Sequence, residues 1–168
     1  MKFLLSLLCL WSIALSAQDK PCESNPKYAE FDFWIGDWEV KDTTGQVIGY
    51  NTIQALDDHC FLQEHWRGAT GGQGHSINYY DPKDSAWRQT WISSNAFILR
   101  MRGGLSADST AMVLRSPPFE FQDSILAFHQ ITWTPQADGT VIQHWQVFSL
   151  ERKLLSSLFY GIYTRTKS

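Results

Sequence analysis

The chain has 168 residues, 43% hydrophobic and 18% charged, with Phe 10, Trp 8 and Tyr 6 supplying most of the bulk available for a core. That is one globular domain's worth of chain, too apolar for a disordered protein and without the repeats of a coiled coil or collagen. A net charge of -3 and the lack of any basic run exclude nucleic acid from the expected partners.

Lys2 is followed by an uncharged apolar stretch from Phe3 to Ala17 and then by polar Gln18, Asp19 and Lys20. This pattern predicts a secretory signal peptide over 1–17, too short for the roughly 20 residues that span a bilayer. A cut after Ser16 fits nearly as well as one after Ala17, and either removes Cys9. Cys9 follows Leu8, not the small residue that a lipoprotein cleavage site requires, so no lipid anchor is expected. The predicted organisation is a signal peptide (1–17), an N-terminal extension (18–30) and a β-barrel domain (31–168), exported to the periplasm or beyond with no membrane span left after cleavage. Of the cysteines only Cys22 and Cys60 remain, and in an oxidising compartment they are expected to pair.

Pro26 to Trp34 reads as a short helix capped by Asn25 and placed to plug one end of the domain. From Gly36 onward, aromatic and β-branched segments are punctuated every 8 to 12 residues or so by Gly, Pro, Asn and Asp, the rhythm of an all-β protein. The predicted strands are 37–43, 46–55, 60–68, 74–81, 86–93, 96–103, 110–115, 125–134, 140–149 and 154–166. Short turns imply antiparallel neighbours, and a meander of about ten strands avoids open edges by closing on itself. The predicted fold is therefore a closed, antiparallel, up-and-down β-barrel. The Gly-rich stretch Gly68 to Gly74 lacks a following Gly-Lys-Ser/Thr and reads as a hairpin tip, not a phosphate loop.

The block Phe31-Asp32-Phe33-Trp34-Ile35-Gly36-Asp37-Trp38 resembles the opening of a bacterial family of uncharacterised lipocalin-like, or calycin-type, domains. Further blocks extend the resemblance in order: Leu62 to Gly68, Ser76 to Pro82, Trp87 to Trp91, Ile131 to Thr134, Asp138-Gly139 and Gly161 to Arg165. It implies a calycin-type barrel and no particular chemistry. It also implies that Trp38, on the first strand, closes the barrel base and that Arg165, on the last strand, packs on its face through a cation–π contact. Family members often carry Arg before the Ile-Thr-Trp block, where this chain has Gln130.

Side chains alternate along a strand, so parity sorts residues by face. Glu64 shares a face with Leu62 and Trp66, Gln89 with Trp87 and Trp91, and Gln143 with Val141 and Trp145, while Ser76, Asn78 and Tyr80 share another. If these faces point inward, Glu64, Trp66, Ser76, Asn78, Tyr80, Gln89, Trp91, Gln143 and Trp145 line one pocket suited to a small molecule. The alternative is a filled barrel whose polar side chains satisfy one another. A lumenal Glu64 would either pair with Arg67, Arg88 or Arg100, or have its pKa raised by burial and serve as a general acid or base.

His59, His65, His75, His129 and His144 show no zinc spacing, and no metal or other cofactor is predicted. The main expectation is a monomeric or weakly dimeric binder of a small, partly apolar molecule. Net negative charge, with Gln130 in place of an Arg, favours a neutral ligand. The runner-up is an isomerase or hydrolase using Glu64. A third possibility, a haem barrel, would need one axial His, for which His129 is the best placed.

Overall fold

The computed structural model describes residues 20–166, so the predicted signal peptide lies outside the described residues. Eleven strands follow in chain order: β1 Gly36–Lys41, β2 Val47–Leu56, β3 Phe61–Gly68, β4 Gln73–Asp81, β5 Ala86–Ser93, β6 Ile98–Leu105, β7 Met112–Arg115, β8 Phe119–Phe121, β9 Ile125–Pro135, β10 Val141–Ser149 and β11 Leu154–Arg165. Each of β1 to β6 pairs antiparallel with the next, β7 pairs with β9, and β9, β10 and β11 continue the series back to β1. Ten strands thus close a barrel, as the spacing predicts, and no paired edge remains open between β1 and β11.

The hairpins owe their tightness to one device used repeatedly. Asp42 Oδ1 accepts from the Thr44 and Gln46 amides at 2.8 and 3.0 Å. Asp108 and Asp138 likewise accept from the amides of Thr110 and Thr140, at 3.2 and 3.0 Å. An Asp that bonds the backbone two residues on mimics a turn of main chain, so each Asp-x-Thr fixes its own loop.

One strand, β8, was absent from the sequence expectation. After β7 the chain runs through Ser116-Pro117-Pro118, where the prolines have no N–H to donate and interrupt the ladder. The Ser116 amide still bonds the His129 carbonyl at 2.9 Å, and β8 resumes beside β9 as a short edge from Phe119 to Phe121. The wall is therefore split between the first half of β6 and β8, leaving a side cleft.

The N-terminal segment is not the single helix predicted over Pro26–Trp34. It forms one α turn, Pro21–Ser24, and two separate 3-10 turns, Pro26–Ala29 and Asp32–Trp34. Asn25 does cap the turn Pro26–Ala29, its Oδ1 accepting from Lys27 N at 3.0 Å. A continuous helix would place Phe31 and Trp34 on one stripe; the breaks instead drive both rings into the barrel end. Phe31 stacks on Trp34 and meets Trp87 and Trp133 edge-on, with centroids 5.0 to 5.6 Å apart. All four are fully buried.

Trp38 and Arg165 complete this closed end. The Trp38 indole donates to the Trp34 carbonyl at 2.9 Å, and Arg165 Cζ lies 4.3 Å from the centre of the Trp38 ring. Arg165 also donates to the Ile35 carbonyl at 2.8 Å, tying the last strand to the segment that precedes the first. A disulfide joins Cys22 to Cys60 and tethers the N-terminal turns to the loop before β3. Among the described residues no helix is long and apolar enough to cross a membrane.

Candidate functional site: a polar belt under an aromatic cavity

The barrel interior is layered along its axis. Above the closed end, the inward positions of the middle of the strands are polar: Asn51 on β2, Glu64 on β3, Ser76 and Asn78 on β4, Gln89 on β5 and Gln143 on β10, all buried. They satisfy one another in a chain. Asn51 Nδ2 donates to Glu64 Oε1 at 2.8 Å, and Ser76 Oγ donates to Glu64 Oε2 at 2.6 Å. Asn78 Nδ2 donates to Ser76 Oγ at 2.8 Å, and Gln89 Nε2 donates to Asn78 Oδ1 at 2.9 Å. On the other side of Glu64, Asn51 Nδ2 is 3.4 Å from the Tyr163 hydroxyl, which donates to Gln143 Oε1.

Above this belt lies a cavity of about 140 Å³. That is the scale of a cavity that accepts a benzene-sized guest. Of the nine residues assigned to the pocket by parity, Glu64, Trp66, Gln89, Trp91, Gln143 and Trp145 line it together. Ser76 and Asn78 are not in the lining; they lie behind it and connect to the cavity through Glu64 and Gln89. Tyr80 is a correction. It has the expected parity but sits at the closed end, edge-on to Tyr28 with centroids 5.4 Å apart. Four residues beyond Ser76, at about 3.3 Å per residue, it lies roughly 13 Å further along the strand. The filled-barrel and open-pocket expectations therefore each describe one layer.

Sequence reasoning missed Leu99, Ile131, Phe159 and Tyr163, which complete the lining, and Asn51, which holds Glu64. The parity rule applied to β2 places Asn51 on the face of buried Ile53, and on β11 it places Phe159 with Tyr163, so the signal was present. Space for the rings comes from glycine. A Cβ on Gly74 would lie 2.3 Å from the Trp91 ring, and one on Gly49 would lie 2.5 Å from the Trp66 ring. Each indole lies flat across a bare stretch of the neighbouring strand, which no other residue would permit.

Glu64 is the one acid in the belt, and no cation pairs with it. Arg88 is held on the outside by Asp81 at 3.2 Å and Asp84 at 2.5 Å, and Arg67 and Arg100 are exposed. Burial pushes the Glu64 carboxyl up to about 7, although its hydrogen bonds from Ser76 and Asn51 favour the charged form. The surroundings can also accept a proton on this carboxyl. Asn51 Oδ1 is buried without a partner, and turning the Asn51 amide over would point that oxygen at Glu64 Oε1. Burial, with the Glu64 charge close by, holds the Tyr163 phenol well above its usual range, so it remains a donor.

Two further expectations are revised. Gln130 points to the outer face, where its Oε1 accepts from Arg115 Nε at 2.8 Å, and it says nothing about charge in the lumen. His129 is half-buried in the side cleft, stacked on Phe119 with centroids 4.4 Å apart. Its Nδ1 accepts from Trp145 Nε1 at 3.0 Å. Burial lowers its pKa, so the ring is neutral and carries its proton on Nε2. An axial bond to haem iron would require the ring to give up either the Trp145 hydrogen bond or its Nε2 proton. Among the described residues no group of three or more His, Cys, Asp or Glu could hold a metal ion.

No protein-family model matches the chain, and comparison with curated proteins finds no significant match.

Proposed function

We propose that this protein binds a small, partly apolar molecule in the open half of its barrel. The observation that carries this is the division of the interior: the closed end is packed to exclusion, while the rings of Trp66, Trp91, Trp145 and Phe159 surround space and the Glu64 carboxylate faces it. Aromatic walls supply non-directional burial, and the few polar groups orient the guest. A carboxylate and no cation in the lining exclude a strongly anionic guest, which leaves a neutral or cationic one. Kinship with lipocalin-like domains is part of the same proposal, supported by the 3-10 turns before β1 and by Arg165 over Trp38. Export is supported by the disulfide and by the apolar N-terminal stretch.

The test is to fill the cavity. Leu99 on β6 and Ile131 on β9 both line it, and Ile131→Phe would put a ring into the space. In a screen of small organic molecules read by shifts in unfolding temperature, the wild type should be stabilised by a subset to which Ile131→Phe, folded, does not respond. Binding that survives in the filled variant, or a wild type that responds to no molecule, would overturn the proposal.

A second reading, acid–base catalysis by Glu64, is favoured by one observation. A carboxyl with a pKa of about 7 that faces a cavity is poised to give and take a proton near neutrality. Glu64→Gln would then abolish turnover by roughly 10²-fold or more.

A further inference from the structure

The cavity contains a carboxyl group, Glu64, with which no cation among the described residues pairs. We infer that its guest is a compact organic cation, a primary or secondary ammonium on a small apolar body, whose N–H groups bond the Glu64 carboxylate while its charge and hydrocarbon lie against the indole faces. This rests on the ligand-binding reading above and specifies the class of ligand.

Four features converge on it. Glu64 is only 4% exposed, yet each of its oxygens receives a single side-chain donor, from Asn51 and from Ser76. A carboxylate offers about four acceptor sites, so acceptor capacity is left over on the side facing the cavity. Every element packed around it presents an uncharged group: Asn51 from β2, Ser76 and Asn78 from β4, Gln89 from β5, Gln143 from β10 and Tyr163 from β11. Tyr163 alone among these titrates, and its proton is committed to Gln143.

The surplus in the site is in acceptors. Glu64 lines the cavity with lone pairs to spare, so a guest that brings N–H donors is the one that satisfies them. The walls supply the remaining complement. Trp66, Trp91 and Trp145 present indole rings, the aromatic type that attracts cations most strongly, and Phe159 meets Trp66 edge-on at 5.7 Å. A neutral guest would use the rings but leave the carboxylate either unpaired or protonated.

Proton balance supplies a signature. Below neutrality the empty site holds the Glu64 proton, because burial raises that carboxyl to about 7. An ammonium entering the site then expels it: the ammonium keeps its own proton, and the carboxyl proton leaves to solvent. Above neutrality no proton is exchanged.

The experiment is calorimetric titration of the full mature chain with benzylamine and with benzyl alcohol, its uncharged counterpart, in two buffers of different ionisation heat. Benzylamine should bind at least about tenfold tighter than the alcohol, gain about tenfold in affinity from about pH 6 to about pH 8, and release close to one proton at the lower pH only. Glu64→Gln should lose the preference, the pH dependence and the proton release together. Equal binding of amine and alcohol by the wild type would overturn the cation inference and leave the pocket standing. Failure of both probes to bind would overturn the inference along with the ligand-binding reading. The pH and proton measurements on the wild type decide the matter even where the variant does not fold.

Discussion

Replacing Glu64 by Gln should make the protein's stability less dependent on pH, and by an amount the structure specifies. In the folded chain the carboxyl titrates at about 7, against an ordinary value of 4.5. The folded state therefore holds a proton that the unfolded state releases, so the contribution of Glu64 is intact below about pH 4.5 and is lost as the pH rises through about 7. At about 1.4 kcal/mol per unit, the loss across that window is about 3 kcal/mol. The Gln variant cannot ionise, and the Asn51 amide can turn its unpartnered Oδ1 toward the new amide. Chemical unfolding of both proteins, with the disulfide intact, at several pH values from about 4.5 to about 8 measures the difference directly. His129 and His144 also titrate in or below this range, both lowered by burial, but they are common to both proteins and cancel. The variant should gain on the wild type by about 3 kcal/mol between the two ends of the window. A stability difference that stays constant across it would refute the claim that Glu64 is buried without a charged partner.

Trp38→Ala should destabilise by about 3–5 kcal/mol in equilibrium unfolding, since it removes a fully buried ring together with its bond to the Trp34 carbonyl and the seat of Arg165. Reduction of the Cys22–Cys60 bond, which spans 38 residues, should cost about 4 kcal/mol by the chain-entropy relation, read as a lower denaturation midpoint with a steeper slope, since the reduced unfolded chain is more expanded. Gly74→Ala should displace the Trp91 ring, which leaves 2.3 Å for the new Cβ, and shift the tryptophan emission while far-UV circular dichroism keeps its strand signature.

Much of the barrel is legible in the sequence because its two strongest signals are local. Asp-x-Thr turns such as Asp138-Gly139-Thr140 mark the hairpins, and strict alternation marks the strands between them. Parity alone brings Glu64, Gln89 and Gln143 to one lumen. What parity does not carry is depth: Tyr80 shares its face with Ser76 yet belongs to the aromatic base, because only the stagger of paired strands decides which layer a residue joins. Gln130, which bore on the ligand's charge only through the family resemblance, is held outside by Arg115 across the β7–β9 ladder. The 3-10 breaks around Glu30 follow from tertiary demand. Phe31 and Trp34 are buried against Trp87 and Trp133, contacts that lie far away in the sequence and carry no local signal.

The four buried tryptophans at the closed end and the three around the cavity give the most direct measurement. In a ¹H–¹⁵N spectrum of the protein titrated with benzylamine, the indole signals of Trp66, Trp91 and Trp145, which line the cavity, should move together and saturate. Those of Trp34, Trp38, Trp87 and Trp133, packed in the base, should stay in place. Signals that move at the base while the cavity indoles remain still, or a spectrum that does not change at all, would contradict a binding site in the open half of the barrel.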